Sequence, residues 1–131
     1  MAQALVDTSA VYALLDRDDA NHRKALTILR SLPRRNLTPV LSNFVVAESH
    51  ALILSRLGAR VARDWLLKQI WPIEPITGVD EKRARDIIQR YEDKSFSYAD
   101  ATSFALMERL GLKDAFAFDS HFRQYGLKLL G

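Results

Sequence analysis

The chain has 131 residues, of which 48% are hydrophobic, and residues 1–131 are therefore predicted to form a single domain with its own core. The absence of cysteine excludes disulfides, a thiolate metal site and a cysteine nucleophile. A net charge of +3 is compatible with a polyanionic partner. Because no signal peptide or membrane-spanning stretch is recognisable, we expect a cytoplasmic protein with no membrane partner.

Short apolar runs alternate with helical patterns along the chain. The first half of the chain is predicted to contain a strand at 3–7, a helix capped by Thr8 or Ser9, a helix at 21–32, a basic loop at 33–38 and a strand at 39–41. The middle is predicted to contain a helix from Ser42 to Gly58, a helix at 59–70 and a short or edge strand at 71–76. The remainder is predicted to contain a helix at 79–91, a helix from Ser97 to Gly111, and strands at 115–118 and 128–130. This alternation predicts an α/β fold with a parallel sheet, in which ligands bind at the carboxyl ends of the strands.

Two aspartates follow predicted strands directly. Asp7 ends the first apolar run, and Asp119 follows a late one. Both are therefore expected at the carboxyl edge of the sheet, where a site is expected. The alternative is that each is a turn residue or a helix cap, since aspartate is common in both roles.

Glu48 lies within the helix that begins at Ser42. This helix is apolar on nearly all sides, and Phe44, Glu48 and Leu52 share one face. Such a helix is predicted to be buried, and a carboxylate within it is costly unless it is paired or binds a metal. The alternative is a glutamate that reaches solvent at the helix edge or pairs with an arginine.

Asp100 follows Ser97 at the spacing of a helix-capping motif. Capping alone is one interpretation. However, Asp100 shares its helix face with Phe104 and Met107, which predicts that the carboxylate points inward. The two roles are compatible, because capping also fixes the first turn of the helix.

Four carboxylates in one cleft would repel one another and raise one another's pKa values. A bound Mg²⁺ or Mn²⁺ removes this penalty, because these cations prefer oxygen ligands. Such a site suits the hydrolysis of phosphodiesters.

The chain resembles the PIN-domain nucleases, in particular the VapC-type toxins of bacterial and archaeal toxin–antitoxin pairs. The segments that carry the resemblance are LVDTSAVYALLD, SNFVVAES, DKSFSYADATSFALM and AFAFDSHFRQYG. They occur in the family's order and span almost the whole chain. The resemblance implies a PIN-like α/β/α sandwich around a mostly parallel sheet of about four or five short strands.

The resemblance also implies roles for individual residues. Asp7, Glu48, Asp100 and Asp119 correspond to the family's four catalytic acids, with Asp7 and Asp100 as metal ligands.

Hydroxyl residues are a further part of the resemblance. Ser9 and Ser42 correspond to small residues that line the site. One position departs from the pattern, because many relatives have threonine where this chain has Ala117. This departure puts the efficiency of the site in question, since no acid is lost.

The implied function is a metal-dependent endoribonuclease, the toxin of a toxin–antitoxin pair. The resemblance also implies Mg²⁺ or Mn²⁺ as cofactor, RNA as substrate, a cognate antitoxin as partner and a homodimer. The alternatives are a solitary PIN nuclease in RNA maturation and a PIN module that only binds RNA or protein. A receiver-like phosphorylation module fits poorly, because Asp7 has no acidic neighbour and Glu48 lies within a helix.

The three histidines, His22, His50 and His121, are scattered along the chain. None has a partner at metal-ligand spacing, so a zinc site is not expected. His121 lies near Asp119, and a position facing substrate is one alternative for it, but we interpret it as a surface residue.

Overall fold

A computed structural model describes residues 2–131 of the chain. Within them, five parallel strands form one sheet in the order β3-β2-β1-β4-β5. The strands are β1 (Ala2–Val6), β2 (Leu37–Ser42), β3 (Ile73–Glu74), β4 (Asp114–Phe116) and β5 (Lys128–Leu129). This architecture confirms the α/β fold and the parallel sheet that the alternating pattern predicts.

Seven α-helices connect or flank the strands. They are α1 (Thr8–Leu15), α2 (His22–Ser31), α3 (Asn43–Leu57), α4 (Ala59–Lys68), α5 (Gly78–Arg90), α6 (Tyr98–Leu110) and α7 (His121–Tyr125). A 3₁₀ turn at Pro33–Arg35 occupies part of the predicted basic loop. No helix among residues 2–131 is long and apolar enough to cross a membrane.

The sheet separates two hydrophobic cores. Because side chains of a strand alternate between faces, Ala4 and Val6 in β1 belong to the core with α1 to α4, whereas Leu5 belongs to the core with α5 to α7. Phe104 and Phe122 fill the second core and are fully buried. Helices therefore cover both faces of the sheet, as the PIN-like sandwich requires.

Several element ends differ from the sequence-based predictions. Asp7, rather than Thr8 or Ser9, caps α1, because its carboxylate accepts the Ser9 N–H. β2 begins at Leu37, earlier than predicted, because this residue pairs with Ala2 of β1. β4 ends at Phe116, so Asp119 lies on the loop beyond the strand rather than directly after its last residue.

Candidate active site

The sheet topology brings the four predicted acids into one cleft. β1 and β4 are parallel neighbours, so the loops after them leave the sheet at the same edge. α3 and α6 begin near that edge, and each contributes one acid from its N-terminal half. The cleft is lined by Asp7, Thr8, Ser9, Glu48, Leu52, Ser97, Asp100, Asp119 and His121.

Asp7 is the most deeply buried acid of the cleft, with 6% of its surface exposed. Its Oδ2 accepts hydrogen bonds from the Ser9 hydroxyl at 2.7 Å and from the Ser9 N–H at 3.2 Å. The Ser9 hydroxyl in turn accepts the Phe118 N–H at 2.9 Å. Ser9 therefore ties Asp7 to the loop that leads to Asp119.

Burial raises the pKa of Asp7 to about 6. The two hydrogen bonds from Ser9 lower this pKa, whereas the negative charges of Asp100 and Glu48 raise it further. The cleft therefore disfavours a bare negative charge at Asp7 and favours a bound cation.

Glu48 lies in the cleft, but the reason given by the sequence is wrong. The residue is exposed, and α3 is buried only along Val45, Ser49 and Ile53. The Glu48 carboxylate reaches the cleft because α3 begins beside α1, where the Thr8 hydroxyl donates to Glu48 Oε1 at 2.5 Å. A threonine next to Asp7 therefore holds the second acid.

Asp100 both caps α6 and faces the cleft, as the sequence left open. The Asp100 N–H donates to Ser97 Oγ at 3.0 Å, and the Ser97 N–H donates to Asp100 Oδ2 at 3.2 Å. The residue is 7% exposed. The capping box fixes the backbone of Asp100, and its carboxylate is held against the interior of the cleft.

Asp119 and Asp100 are the two acids near the start of α7, and Asp119 is the more exposed of them. Its Oδ1 accepts the His121 N–H at 2.9 Å, which forms a turn at the start of α7. The Asp119 side chain is 31% exposed, against 9% for Asp100. Asp119 is therefore the more accessible of these two carboxylates.

His121 lines the cleft and is 24% exposed, so the prediction of a surface residue is wrong. Its Nδ1 lies 2.8 Å from Asp100 Oδ2 and 3.2 Å from Asp119 Oδ1. The three side chains offer ligand atoms within 4.8 Å of one another. The local signal was the spacing of Asp119 and His121, which are separated by one residue; the contact with Asp100 comes only from the packing of α6 against α7.

Ser42 and Ala117 do not line the cleft. The Ser42 hydroxyl is buried and accepts the Val45 N–H at 3.0 Å, so it caps the helix that the sequence predicts to begin there, and it is not among the residues that line the cleft. Ala117 is buried in the second core. The hydroxyls that line the cleft come from Thr8, Ser9 and Ser97.

The donor set fits a divalent cation of the Mg²⁺ or Mn²⁺ type. Among the described residues that line the cleft, none is lysine or arginine, so no permanent positive charge of the chain lies among the acids. Carboxylate oxygens dominate the set, and hard cations prefer them. The raised pKa of Asp7 indicates the same need for a positive charge.

Fold and site define an α/β/α protein with an acidic, cation-attracting cleft at the carboxyl edge of a parallel sheet. Residues 4–128 match the model of the PIN domain family. The chain belongs to the PIN-domain family.

Comparison with characterised proteins identifies VapC-type relatives. The chain is 35% identical over 124 residues, 92% of each protein, to the 23S rRNA-specific endonuclease VapC20 of Mycobacterium tuberculosis. The crystal structure of M. tuberculosis VapC20, described as a Sarcin-Ricin loop cleaving toxin, matches with a TM-score of 0.85 and 32% identity over 95% of both chains. FitAcB from Neisseria gonorrhoeae shares the fold, with a TM-score of 0.70 and 20% identity over 98% of this chain and 96% of that one.

Proposed function

We propose that this protein is a metal-dependent endoribonuclease. The observation that carries the proposal is the convergence of Asp7, Glu48, Asp100 and Asp119 in one cleft, in a chain related over most of its length to a ribosomal RNA endonuclease. Phosphodiester hydrolysis needs a group that withdraws charge from the phosphoryl oxygens and a group that accepts a proton from water. Clustered carboxylates can bind a cation that withdraws charge from the phosphoryl oxygens, and a carboxylate can itself accept the proton from water.

Asp7 and Asp100 are the residues that would hold the cation. Both carboxylates are buried. Asp7 is fixed by a hydrogen bond from Ser9, and Asp100 is fixed by a hydrogen bond from Ser97. When bound, a divalent cation stabilises negative charge on a phosphoryl oxygen and lowers the pKa of a water molecule.

Glu48 would receive the proton of the attacking water. It is exposed at the rim of the cleft, and the Thr8 hydroxyl fixes one of its carboxylate oxygens. Asp119, on the α7 side, borders the cation site and is more exposed than Asp100. The chain thus divides its acids between cation binding and proton acceptance.

The proposed substrate is a structured ribosomal RNA. The relatives are described as a 23S rRNA-specific endonuclease and as a toxin that cleaves the Sarcin-Ricin loop. The test is incubation of the purified protein with a sarcin–ricin stem–loop, with the same stem carrying a scrambled loop, and with single-stranded RNA. Each RNA is tested with Mg²⁺, with Mn²⁺ and with EDTA.

We expect metal-dependent cleavage of the first RNA at a defined position, which EDTA and the substitution Asp7→Asn abolish. Cleavage that persists in EDTA would contradict the metal dependence. Failure to cut any RNA with either ion would contradict the nuclease itself.

As a partner we propose a cognate antitoxin that places a basic side chain against the acidic cleft. Its charge would compete with the cation and with RNA for the same carboxylates. Expression of this protein alone should arrest growth, and co-expression with the product of an adjacent small gene should restore it. Absence of toxicity and of a copurifying partner would favour a solitary nuclease.

A further inference from the structure

His121 holds the one nitrogen donor among the described side chains that line the acidic cleft. Its Nδ1 faces two carboxylates at once, those of Asp100 at 2.8 Å and Asp119 at 3.2 Å. Ligands that bind one ion at about 2.1 Å on adjacent octahedral positions lie about 3 Å apart. The distances from Nδ1 to each carboxylate therefore suit adjacent ligands of a single ion, and all three side chains offer ligand atoms within 4.8 Å of one another.

The orientation of the His121 ring is fixed by its surroundings. The ring packs edge-on against Phe96, with centroids 5.5 Å apart and planes at 78°. Its second nitrogen, Nε2, lies 3.4 Å from Ser95 Oγ. Without an ion, an Nδ1–H donates to Asp100 Oδ2 at 2.8 Å. When the ring carries its proton on Nε2 instead, it can donate to Ser95 Oγ, and the Nδ1 lone pair is directed at the space between the carboxylates. Metal-binding histidines are commonly fixed by a partner of this kind.

We propose that His121 Nδ1 binds a divalent ion together with the carboxylates of Asp100 and Asp119. The site thereby favours a first-row transition-metal ion, such as Mn²⁺, over Mg²⁺. Imidazole nitrogen binds transition metals well, whereas Mg²⁺ strongly prefers oxygen ligands and keeps its waters. This inference rests on the proposed metal-dependent function and specifies the metal that the function uses.

A competing role for His121 is that of a positioning residue, whose ring N–H only orients Asp100. The two roles differ in what they predict for the two ions. Loss of a nitrogen ligand weakens Mn²⁺ binding selectively, whereas loss of an orienting hydrogen bond weakens the binding of Mg²⁺ and Mn²⁺ alike.

The test is metal binding by the full-length protein without RNA. Mn²⁺ affinity is measured by electron paramagnetic resonance titration, and Mg²⁺ affinity by competition with Mn²⁺. Electron spin-echo modulation of bound Mn²⁺ reports nitrogen coordination directly. The variants are His121→Ala and His121→Gln, with His50→Gln as the matched control, since His50 does not line the cleft. Circular dichroism verifies that each variant folds.

We expect His121→Ala to weaken Mn²⁺ binding by at least about tenfold and to remove the nitrogen signal. We expect the same substitution to change Mg²⁺ binding by less than about threefold. His121→Gln keeps a side-chain N–H for Asp100 but should not restore the nitrogen signal, and His50→Gln should behave as the wild type.

Equal weakening of both ions that His121→Gln repairs would overturn the ligand role in favour of positioning. Unchanged Mn²⁺ binding in His121→Ala would overturn it as well. Both results leave the proposed nuclease intact, whereas failure of the wild type to bind either ion would overturn the metal-dependent function together with this inference.

Discussion

At neutral pH, the ionised and buried carboxylate of Asp7 lowers the stability of the metal-free folded protein. Its folded-state pKa of about 6 lies above the ordinary value of 3.8, chiefly because the carboxyl group is buried. Without a cation, the stability of the folded protein therefore falls as the pH rises through the range between these two values, and it stays lower above that range. At about 1.4 kcal/mol per pKa unit, the cost at neutral pH is up to about 3 kcal/mol.

The substitution Asp7→Asn should stabilise the metal-free protein and inactivate it. Asparagine can still accept both hydrogen bonds from Ser9, but it carries no charge to desolvate. We expect a gain of about 1–3 kcal/mol in unfolding free energy at pH 7.5 and a loss of cleavage of at least about 100-fold.

Urea unfolding in EDTA measures the first effect of Asp7→Asn, and RNA cleavage measures the second. At pH 4, where Asp7 of the folded wild type is protonated, the difference in stability should largely disappear. Equal stability of the two proteins at pH 7.5 would contradict the burial argument, and undiminished cleavage would contradict the role of Asp7 in the site.

Asp100 and Asp119 should differ in importance. Asp100 is buried and fixed by Ser97 and His121, whereas Asp119 is one-third exposed. The side-chain oxygen of asparagine at 119 can still bind a metal ion and can still accept a hydrogen bond from the His121 N–H. We expect Asp119→Asn to lower the cleavage rate about tenfold and Asp100→Asn at least about 100-fold, measured at saturating divalent ion. Equal inactivation of the two variants would show that Asp119 is as essential as Asp100.

Among the elements, α5 and α6 are joined by an ion pair between residues that lie far apart in the sequence. Asp80, in the first turn of α5, is 1% exposed and completes a capping box with Thr77. Arg109, near the end of α6, donates to both Asp80 oxygens at 2.9 Å. Burial opposes the ionisation of Asp80, but the hydrogen bonds and charge of Arg109 hold its pKa below the usual value. The pair fixes the helix that carries Asp100.

The substitution Arg109→Met should lower the free energy of unfolding by about 2–3 kcal/mol at pH 7, because it leaves Asp80 buried without its partner. The value is below that of a fully buried pair, since the Arg109 side chain is 34% exposed. The lowered pKa of Asp80 means that this stabilisation is present above the unfolded-state pKa and is lost as the pH falls.

Urea unfolding of both single variants and of the double variant Asp80→Asn/Arg109→Met measures the coupling. The double variant should recover part of the stability that Arg109→Met loses. Additive effects of the two substitutions would contradict a direct pair.

At the scale of the whole molecule, the exposed face of α3 is a candidate interaction surface. Three apolar residues of this helix, Ala47, Ala51 and Leu54, remain exposed. An apolar helix face left in water is typical of an interaction surface. Glu48 and Leu52 on the same helix line the cleft, so a dimer through α3 would place two clefts beside one interface.

The protein should therefore be a homodimer that Leu54→Glu disrupts. A charge at the centre of an apolar interface is costly to bury. Light scattering at micromolar concentration should give a dimer mass for the wild type and a monomer mass for the variant. The control Ile88→Glu changes an exposed apolar residue on α5, on the opposite side of the sheet from α3, and should leave the dimer intact. A monomeric wild type would contradict the prediction.

The sequence by itself determined the α/β alternation and the candidate acids, because hydrophobic periodicity and strand ends are local properties of the chain. It placed Asp7 and Asp100 correctly for this reason. Only the tertiary structure decided the partners of His121, the exposure of Glu48 and the pairing of Asp80 with Arg109. Each of these depends on how elements distant in sequence pack against one another, and packing determines which polar groups lose water and which groups replace it.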